Sequence, residues 1–376
     1  MIRREFLAQC AGVALTVPLV AQRANDVVNA VERSLQTGVN LGRWLSQYDR
    51  KSPQFDTYIQ EKDIARIATW GLDHVRLPVD CDFFETAPGQ YDQSRLDYVD
   101  RAIGWAHKRG LKFILDLHSA PGYFFGNVGR NELFTSAEMQ QRFLAIWNMF
   151  GKRYRAHGDF LLFEILNEVV EPKAAQWNAL IARAVSAIRA ADSKRWIVTG
   201  GTQYSSIDTL KDLTVPPDER IIYTFHYYKP TLFTHQRAGW NAEAMRYAAI
   251  AHNSRVDYPG PIPHMANYAA AYPKDRDQVA LAGRTINRDW IRESLKPALD
   301  FRARTGRAIH CGEFGVIANA PPDSAARWYA DFCGLLAEHC IPRTAWTYKC
   351  SDFGIIDPKS GAVVNPGVLR AMRAKW

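Results

Sequence analysis

The chain has 376 residues and no run of four or more lysines and arginines, although its formal net charge is +8. A basic total without a basic tract describes a solvated surface and gives no support for a nucleic-acid partner. There is no Cys-x-x-Cys pair and no cluster of histidines, so no metal site is expected. No Gly-rich loop follows the first strand candidate, which argues against a dinucleotide cofactor. A Walker A loop, a His-Glu-x-x-His helix and a Gly-x-Ser-x-Gly elbow are all missing, and with them the chemistries they serve. Neither cofactor nor metal is therefore called for. Beyond the first 24 residues no apolar run is long enough to span a bilayer. The mature protein is not expected to insert stably in a membrane.

Cysteine is scarce, with six residues in the chain. Loss of Cys10 with an N-terminal leader would leave five, an odd number, so at least one stays unpaired. Cys333 and Cys340 are seven apart in a segment of helical spacing. The rise of about 10 Å is too long for a bridge. Cys311, Cys333 and Cys340 read as buried thiols. Cys311 lies two residues before Glu313, and strand periodicity puts both on one face. Cys81 and Cys350 follow the second and eighth strand candidates, which a closed barrel brings close, so a bridge between them is left open.

The composition that is present, 47% hydrophobic and 23% charged, is that of a globular protein. Residues 1–24 combine Arg3 and Arg4, a short apolar stretch and small residues, the pattern of an export signal. The Arg-Arg-x-Phe-Leu order resembles a twin-arginine leader. The expected location is periplasmic or extracellular, with residues 25–376 as one catalytic domain.

Eight short apolar runs recur along that domain. They are Gly38–Leu41, His74–Val79, Phe113–His118, Leu161–Glu168, Trp196–Gly200, Ile221–Tyr228, Ala308–Gly315 and Arg343–Lys349. Segments of helical spacing separate most of them, including Ile59–Trp70, Leu96–Lys108 and Trp177–Ala190. Alternation of apolar strands with helices implies a parallel sheet, and eight units imply an α/β fold of the closed (β/α)₈ TIM-barrel type. A helix over 25–37 is expected to pack on the barrel. Two long insertions, 119–135 and 229–289, follow strands and so belong on the catalytic face. The second carries five prolines and is read as irregular.

Polar residues stand where these strands end: Arg76, His118, Asn167, Glu168, His226, Tyr228, Glu313 and Trp346. Buried charge is costly unless paired or used, and the C-terminal ends of barrel strands are where catalytic groups collect. Two carboxylates suffice for glycoside cleavage, one protonated to assist the leaving oxygen and one ionised to attack. Arg76 is placed to keep the attacking group ionised. Aromatic faces stack on sugar rings, so Trp44, Tyr123 and Trp240 join Trp346, with Asp352, as candidate substrate contacts.

At this point the chain resembles glycoside hydrolase family 5, the cellulase-like retaining β-glycanases, over roughly Gly38 to Lys349. LLFEILNEV at 161–169 matches the acid/base motif with Asn167-Glu168, and CGEFGV at 311–316 matches the nucleophile with Glu313. Supporting matches are HVRLPV, LDLHSAPG, FHYY and AWTYK. The resemblance implies a metal-free retaining hydrolase acting on a β-linked polysaccharide or oligosaccharide. Asn167 would hold the sugar 2-hydroxyl, His226 and Tyr228 would tune the two glutamates, and Trp346 would stack on the sugar at the cleaved bond. GVNLGRWL and LDLHSAPG point to the branch with exo-1,3-glucanases. FTHQRAGW points to endoglucanase-like members, with Arg237 as a departure, and Val169 stands where many members have proline. The favoured activity is an endo-β-1,4-glucanase. The alternatives are an exo-β-1,3-glucanase, a β-mannanase, or a catalytically inactive carbohydrate-binding barrel.

Overall fold

The computed structural model describes residues 30–170 and 172–376. The export-signal reading falls on residues 1–24, outside the described residues. The helix expected over 25–37 is described from residue 30, with helical turns through residue 33.

Eight parallel strands close into a barrel. They are β1 (Thr37–Asn40), β2 (His74–Asp80), β3 (Lys112–Ser119), β4 (Leu161–Glu164), β5 (Trp196–Gly200), β6 (Ile221–Tyr227), β7 (Ile309–Phe314) and β8 (Arg343–Ala345). Each pairs with its sequence neighbours, and β8 pairs with β1 to close the ring. All eight strand candidates are present. The fourth and eighth are shorter than expected, because the chain leaves the sheet to form the loops that carry Glu168 and Trp346.

The helices form where the sequence supplies both an apolar stripe and a cap. Helix α1 (Glu61–Thr69) buries Ile64 and Ile67, and its Asp63 carboxylate accepts from the Gln60 amide at 2.9 Å. Helix α2 (Gln93–Lys108) is capped by Asp92, and α3 (Ala137–Arg153) by Ser136. These side chains accept from otherwise unpaired first-turn amides. Helix α4 (Ala174–Ala191) turns seven apolar residues inward, and α5 (Pro322–Glu338) packs Trp328, Phe332 and Cys333 against the sheet.

Strand alternation divides the barrel interior into levels. At the bottom, Ile114, Leu162, Trp196, Val198, Ile222 and Ala308 form an apolar floor closed by Val31 and Leu35 from the N-terminal turn. The neighbouring Glu32 accepts from the Ile309 amide at 3.2 Å. Above the floor a polar chain crosses the barrel. Asp73 faces His74 Nδ1 (2.8 Å), His74 Nε2 faces Thr344 Oγ1 (2.7 Å), and Thr344 Oγ1 faces His310 Nε2 (2.8 Å). The site residues lie above that chain.

Two expectations are corrected. The insertion over 229–289 is not structureless: it holds helices Thr231–Thr234, Ala242–Ile250, Met265–Ala271 and Arg276–Val279, and a strand pair of Gly260–Pro261 with Thr285–Ile286. Its prolines mostly sit between these pieces, where a missing amide costs nothing. Cys311 does not share the face of Glu313. The register against β6 shifts between them, pairing Cys311 with Phe225 and Glu313 with His226. This extra residue is a bulge. It turns Cys311 into the outer core with Phe225 and Cys333 and leaves Glu313 facing inward.

Candidate active site

Arg76, wholly buried on β2, organises the upper level of the barrel. Its Nε and Nη2 donate to Glu164 at 2.7 and 3.0 Å, in a forked pair. Nη1 donates to Asn40 Oδ1 (2.8 Å) and Glu313 Oε1 (2.9 Å). Nη2 also reaches Asn167 Oδ1 (2.9 Å) and Asp116 Oδ2 (3.1 Å). A planar guanidinium with five donors suits such a multidentate role. Removing it would strand three buried carboxylates without a counter-charge.

Glu313 lies just past the bulge in β7. Arg76 holds one of its oxygens, and the Tyr228 hydroxyl donates to the other at 2.9 Å. Glu168 lies beyond the end of β4 at φ 42, a left-handed conformation that non-glycine residues seldom adopt. Strained backbone of this kind clusters at functional sites. His226 Nδ1 stands between the two glutamates, 2.9 Å from Glu168 Oε1 and 3.6 Å from Glu313 Oε2. The ligand atoms of Glu168, His226 and Glu313 all lie within 4.8 Å of one another.

Burial sets the ionisation of this group. It pushes the Glu168 carboxyl up to about 7, against the pull of His118 and Arg76. It also raises Glu313, opposed by His226 and Arg76. The His226 imidazole is driven down to about 4 by burial and so is neutral at pH 7. Between the two glutamates, Glu313 has the stronger donors, a guanidinium and a phenol, which favour its ionised form.

The cleft floor is completed by a ring pair. His118 on β3 stacks parallel to Trp346 with centroids 5.7 Å apart, and its edge meets Phe125 from the 119–135 loop. Asn167 Nδ2 is buried and has no partner among the described residues, because the amide oxygen is committed to Arg76. That donor is free for a hydroxyl.

Two carboxyl groups in one cleft, with His226 between them, are the groups that glycoside hydrolysis requires. The model of the family described as Cellulase (glycosyl hydrolase family 5) matches residues 29–352. The chain belongs to glycosyl hydrolase family 5. It is a glycoside hydrolase on a TIM barrel.

Among the relatives of this family-5 hydrolase, Endoglucanase C of Acetivibrio thermocellus is 42% identical over 339 residues, which are 88% of this chain and 97% of that protein. Cellodextrinase A of Ruminococcus flavefaciens is 29% identical over 314 residues, 83% of this chain and 84% of the relative. The structure of Thermotoga maritima Cel5A in complex with mannotriose superposes with a TM-score of 0.74 at 25% identity, covering 92% of this chain and 99% of that one.

The structure brings Arg76, His118, Asn167, Glu168, His226, Tyr228, Glu313 and Trp346 to one cleft. It places the other candidates elsewhere. Trp44 is largely buried, with its indole donating to the Phe55 carbonyl (2.8 Å) and stacking on Trp105, and it lines the same groove as Asp352. Tyr123 is also buried, and its hydroxyl donates to the Glu168 carbonyl. Trp240 is 62% exposed, edge-on to His235 and beside Phe353. Asp352 is exposed and lines a groove of about 360 Å³ with Arg43, Tyr48 and Tyr58. Asp116, Glu164 and Asn40 were missed. They face Arg76 from β3, β4 and β1, and the alternation in LDLH, LLFE and GVNL is the signal that reveals them.

The Cys81–Cys350 pairing is absent. Cys81 turns toward Ser119 on β3, away from β1, and Cys350 Sγ accepts from the Phe353 amide at 3.1 Å. Cys340 is exposed rather than buried, because helix α5 ends at Glu338 and leaves it in the following turn.

Proposed function

We propose that this protein is a retaining endo-β-1,4-glucanase, with Glu313 as nucleophile and Glu168 as acid/base. The observation that carries retention is the 4.8 Å limit on the separation of the two glutamates' ligand oxygens. Retaining enzymes hold their carboxyl groups about 5 to 5.5 Å apart, whereas inverting enzymes need about 6.5 to 9.5 Å to admit a water. In the first half-reaction a Glu313 oxygen attacks the anomeric carbon while Glu168 gives its proton to the departing glycosidic oxygen. The neutral His226 donates through Nδ1 to Glu168 Oε1, which leaves the acidic proton on the other oxygen, free to face the leaving group. In the second half-reaction Glu168, now ionised, takes a proton from water as that water displaces Glu313 from the sugar. Two inversions return the β configuration.

Endo action on a β-1,4-glucan is supported by the relatives named as endoglucanases, which match along nearly their whole length. The mannotriose complex of the Thermotoga maritima protein is the reason to include mannan-containing substrates in the test. Export through the twin-arginine route, with removal of residues 1–24 before a catalytic unit over 25–376, is part of the same reading. Its basis is the paired arginines and short apolar stretch. Asp352 and Trp240 are proposed as outer contacts for the glucan chain.

The test is NMR of the first product formed from a cello-oligosaccharide, with viscosity and reducing-end assays on cellulose, lichenan, laminarin, glucomannan and xyloglucan. Initial β-anomer and rapid viscosity loss on a β-1,4-glucan are expected. An initial α-anomer would overturn the mechanism, and preference for laminarin the substrate.

A further inference from the structure

We propose that Asp116 is a positioning residue that locks His118 as an acceptor-only imidazole, so that the site reads a donor hydroxyl on the sugar beside Trp346. The proposal rests on the hydrolase reading above for its substrate and on geometry for its chemistry. Asp116 Oδ2 lies 2.7 Å from His118 Nδ1 and 3.1 Å from Arg76 Nη2. Both Asp116 and His118 are buried.

The guanidinium carries only donors and a positive charge, so its Nη2, 3.1 Å from Oδ2, disfavours a proton on that oxygen. An oxygen that faces a guanidinium at ion-pair distance is a carboxylate or carbonyl oxygen, because a proton on it would be set against the cation. The conclusion holds even though burial pushes the Asp116 carboxyl up to about 7. Any proton it gains goes to Oδ1, which is buried and has no partner among the described residues. In either state Oδ2 accepts from His118, and Nδ1 carries the hydrogen.

The other ring nitrogen follows from the first. Burial lowers the His118 pKa, so the ring is neutral near pH 7 and Nε2 has only a lone pair. The ring cannot swing to offer another atom, since Trp346 stacks on its face and Phe125 meets its edge. A free sugar hydroxyl can donate to this nitrogen. A sugar whose hydroxyl is methylated or removed cannot. A site built around such a bond rejects the analogue strongly, because it leaves the protein acceptor unpaired.

The decisive measurement is NMR of the full-length protein with ¹⁵N-labelled histidine. His118 is expected to show protonated Nδ1 and bare Nε2 at about pH 7. An Nε2–H tautomer or an imidazolium, in an enzyme that cleaves glucan, overturns the assignment. A second arm uses cello-oligosaccharides lacking single hydroxyls on the sugar at the cleaved bond. One of these is expected to lose at least about 100-fold in kcat/KM with the wild type. Asp116→Ala is expected to lose about 10- to 100-fold on the intact substrate and to shrink the penalty for that same analogue below tenfold. Penalties that multiply independently would defeat the proposal. Should Asp116→Ala not fold, the wild-type spectrum still decides. Absence of turnover on every glucan defeats the functional reading alone, whichever tautomer is seen.

Discussion

The Tyr123 hydroxyl holds the loop of Glu168 at two points, donating to the Glu168 carbonyl at 2.7 Å and accepting from the Val170 amide at 3.0 Å. Glu168 itself carries the left-handed conformation of this turn, at φ 42. A tyrosine in the 119–135 loop thus fastens the end of β4 to the end of β3.

Tyr123→Phe removes both bonds and leaves a buried amide and carbonyl without their partner, at about 1 to 3 kcal/mol. The variant is expected to remain folded and to lose about tenfold or more in kcat, with KM little changed, because 1 Å of misplacement at the acid is enough. Circular dichroism and steady-state kinetics check both halves. A kcat equal to that of the wild type would show that the turn is held by other contacts.

Glu313→Gln should abolish formation of the glycosyl-enzyme on every substrate, since the amide is not a nucleophile. Trapping the wild type with a 2-fluoro glycoside and mapping the labelled peptide gives the residue directly. Label at Glu313 is expected, and label anywhere else rejects the assignment.

The pH profile follows from the raised Glu168. As the acid it must hold its proton, so kcat/KM should fall as pH rises through about 7. Glu313 must be ionised, and burial raises its carboxyl too, so an acid limb is expected above the ordinary glutamate range. With an aryl glucoside whose leaving group needs no proton, the basic limb should flatten. A limb that stays in place would mean that another group sets it.

Glu32, beneath the barrel, gives a stability signal that is separate from catalysis. Burial raises its carboxyl from 4.5 to about 7. The folded state therefore holds a proton that the unfolded state releases between those values. Stability is lost as pH rises through that window, by up to about 3 kcal/mol. Glu32→Gln keeps the acceptor for the Ile309 amide and removes the titration. Its melting temperature should match the wild type at pH 4 and exceed it at pH 8. Parallel curves at both pH values would contradict this.

Thiol counting on the mature protein should give five free cysteines, with Cys340 the first to react in the native state because it alone among the five is exposed. Cys81, Cys311 and Cys333 should react only on unfolding. A count of three would restore a disulfide.

Much of the site was legible because catalysis forces polar residues onto apolar strands, and Arg76, His118, Asn167, Glu168, His226, Tyr228 and Glu313 stood out for that reason. Depth was not legible. Tyr123 is an aromatic residue in a loop at the catalytic face, as a sugar platform would be, and only packing distinguishes a ring in the wall from a ring on the surface. Asp116 and Glu164 went unread because their importance depends on register, which places both against the same guanidinium. The face of Cys311 was misread because a bulge breaks the period of two on which the inference stood. The prolines of 229–289 suggested irregularity, whereas the helices occupy the stretches between most of them.

The closure of the barrel floor by Val31 and Leu35 would set a limit on how far any N-terminal cleavage could reach. A peptidase that cuts on the amino side of residue 30 leaves the lower mouth sealed. A cut past Leu35 would uncork it, exposing a hydrophobic well lined by Ile114, Leu162, Val198 and Ile222 and inviting aggregation from the end of the molecule opposite the chemistry.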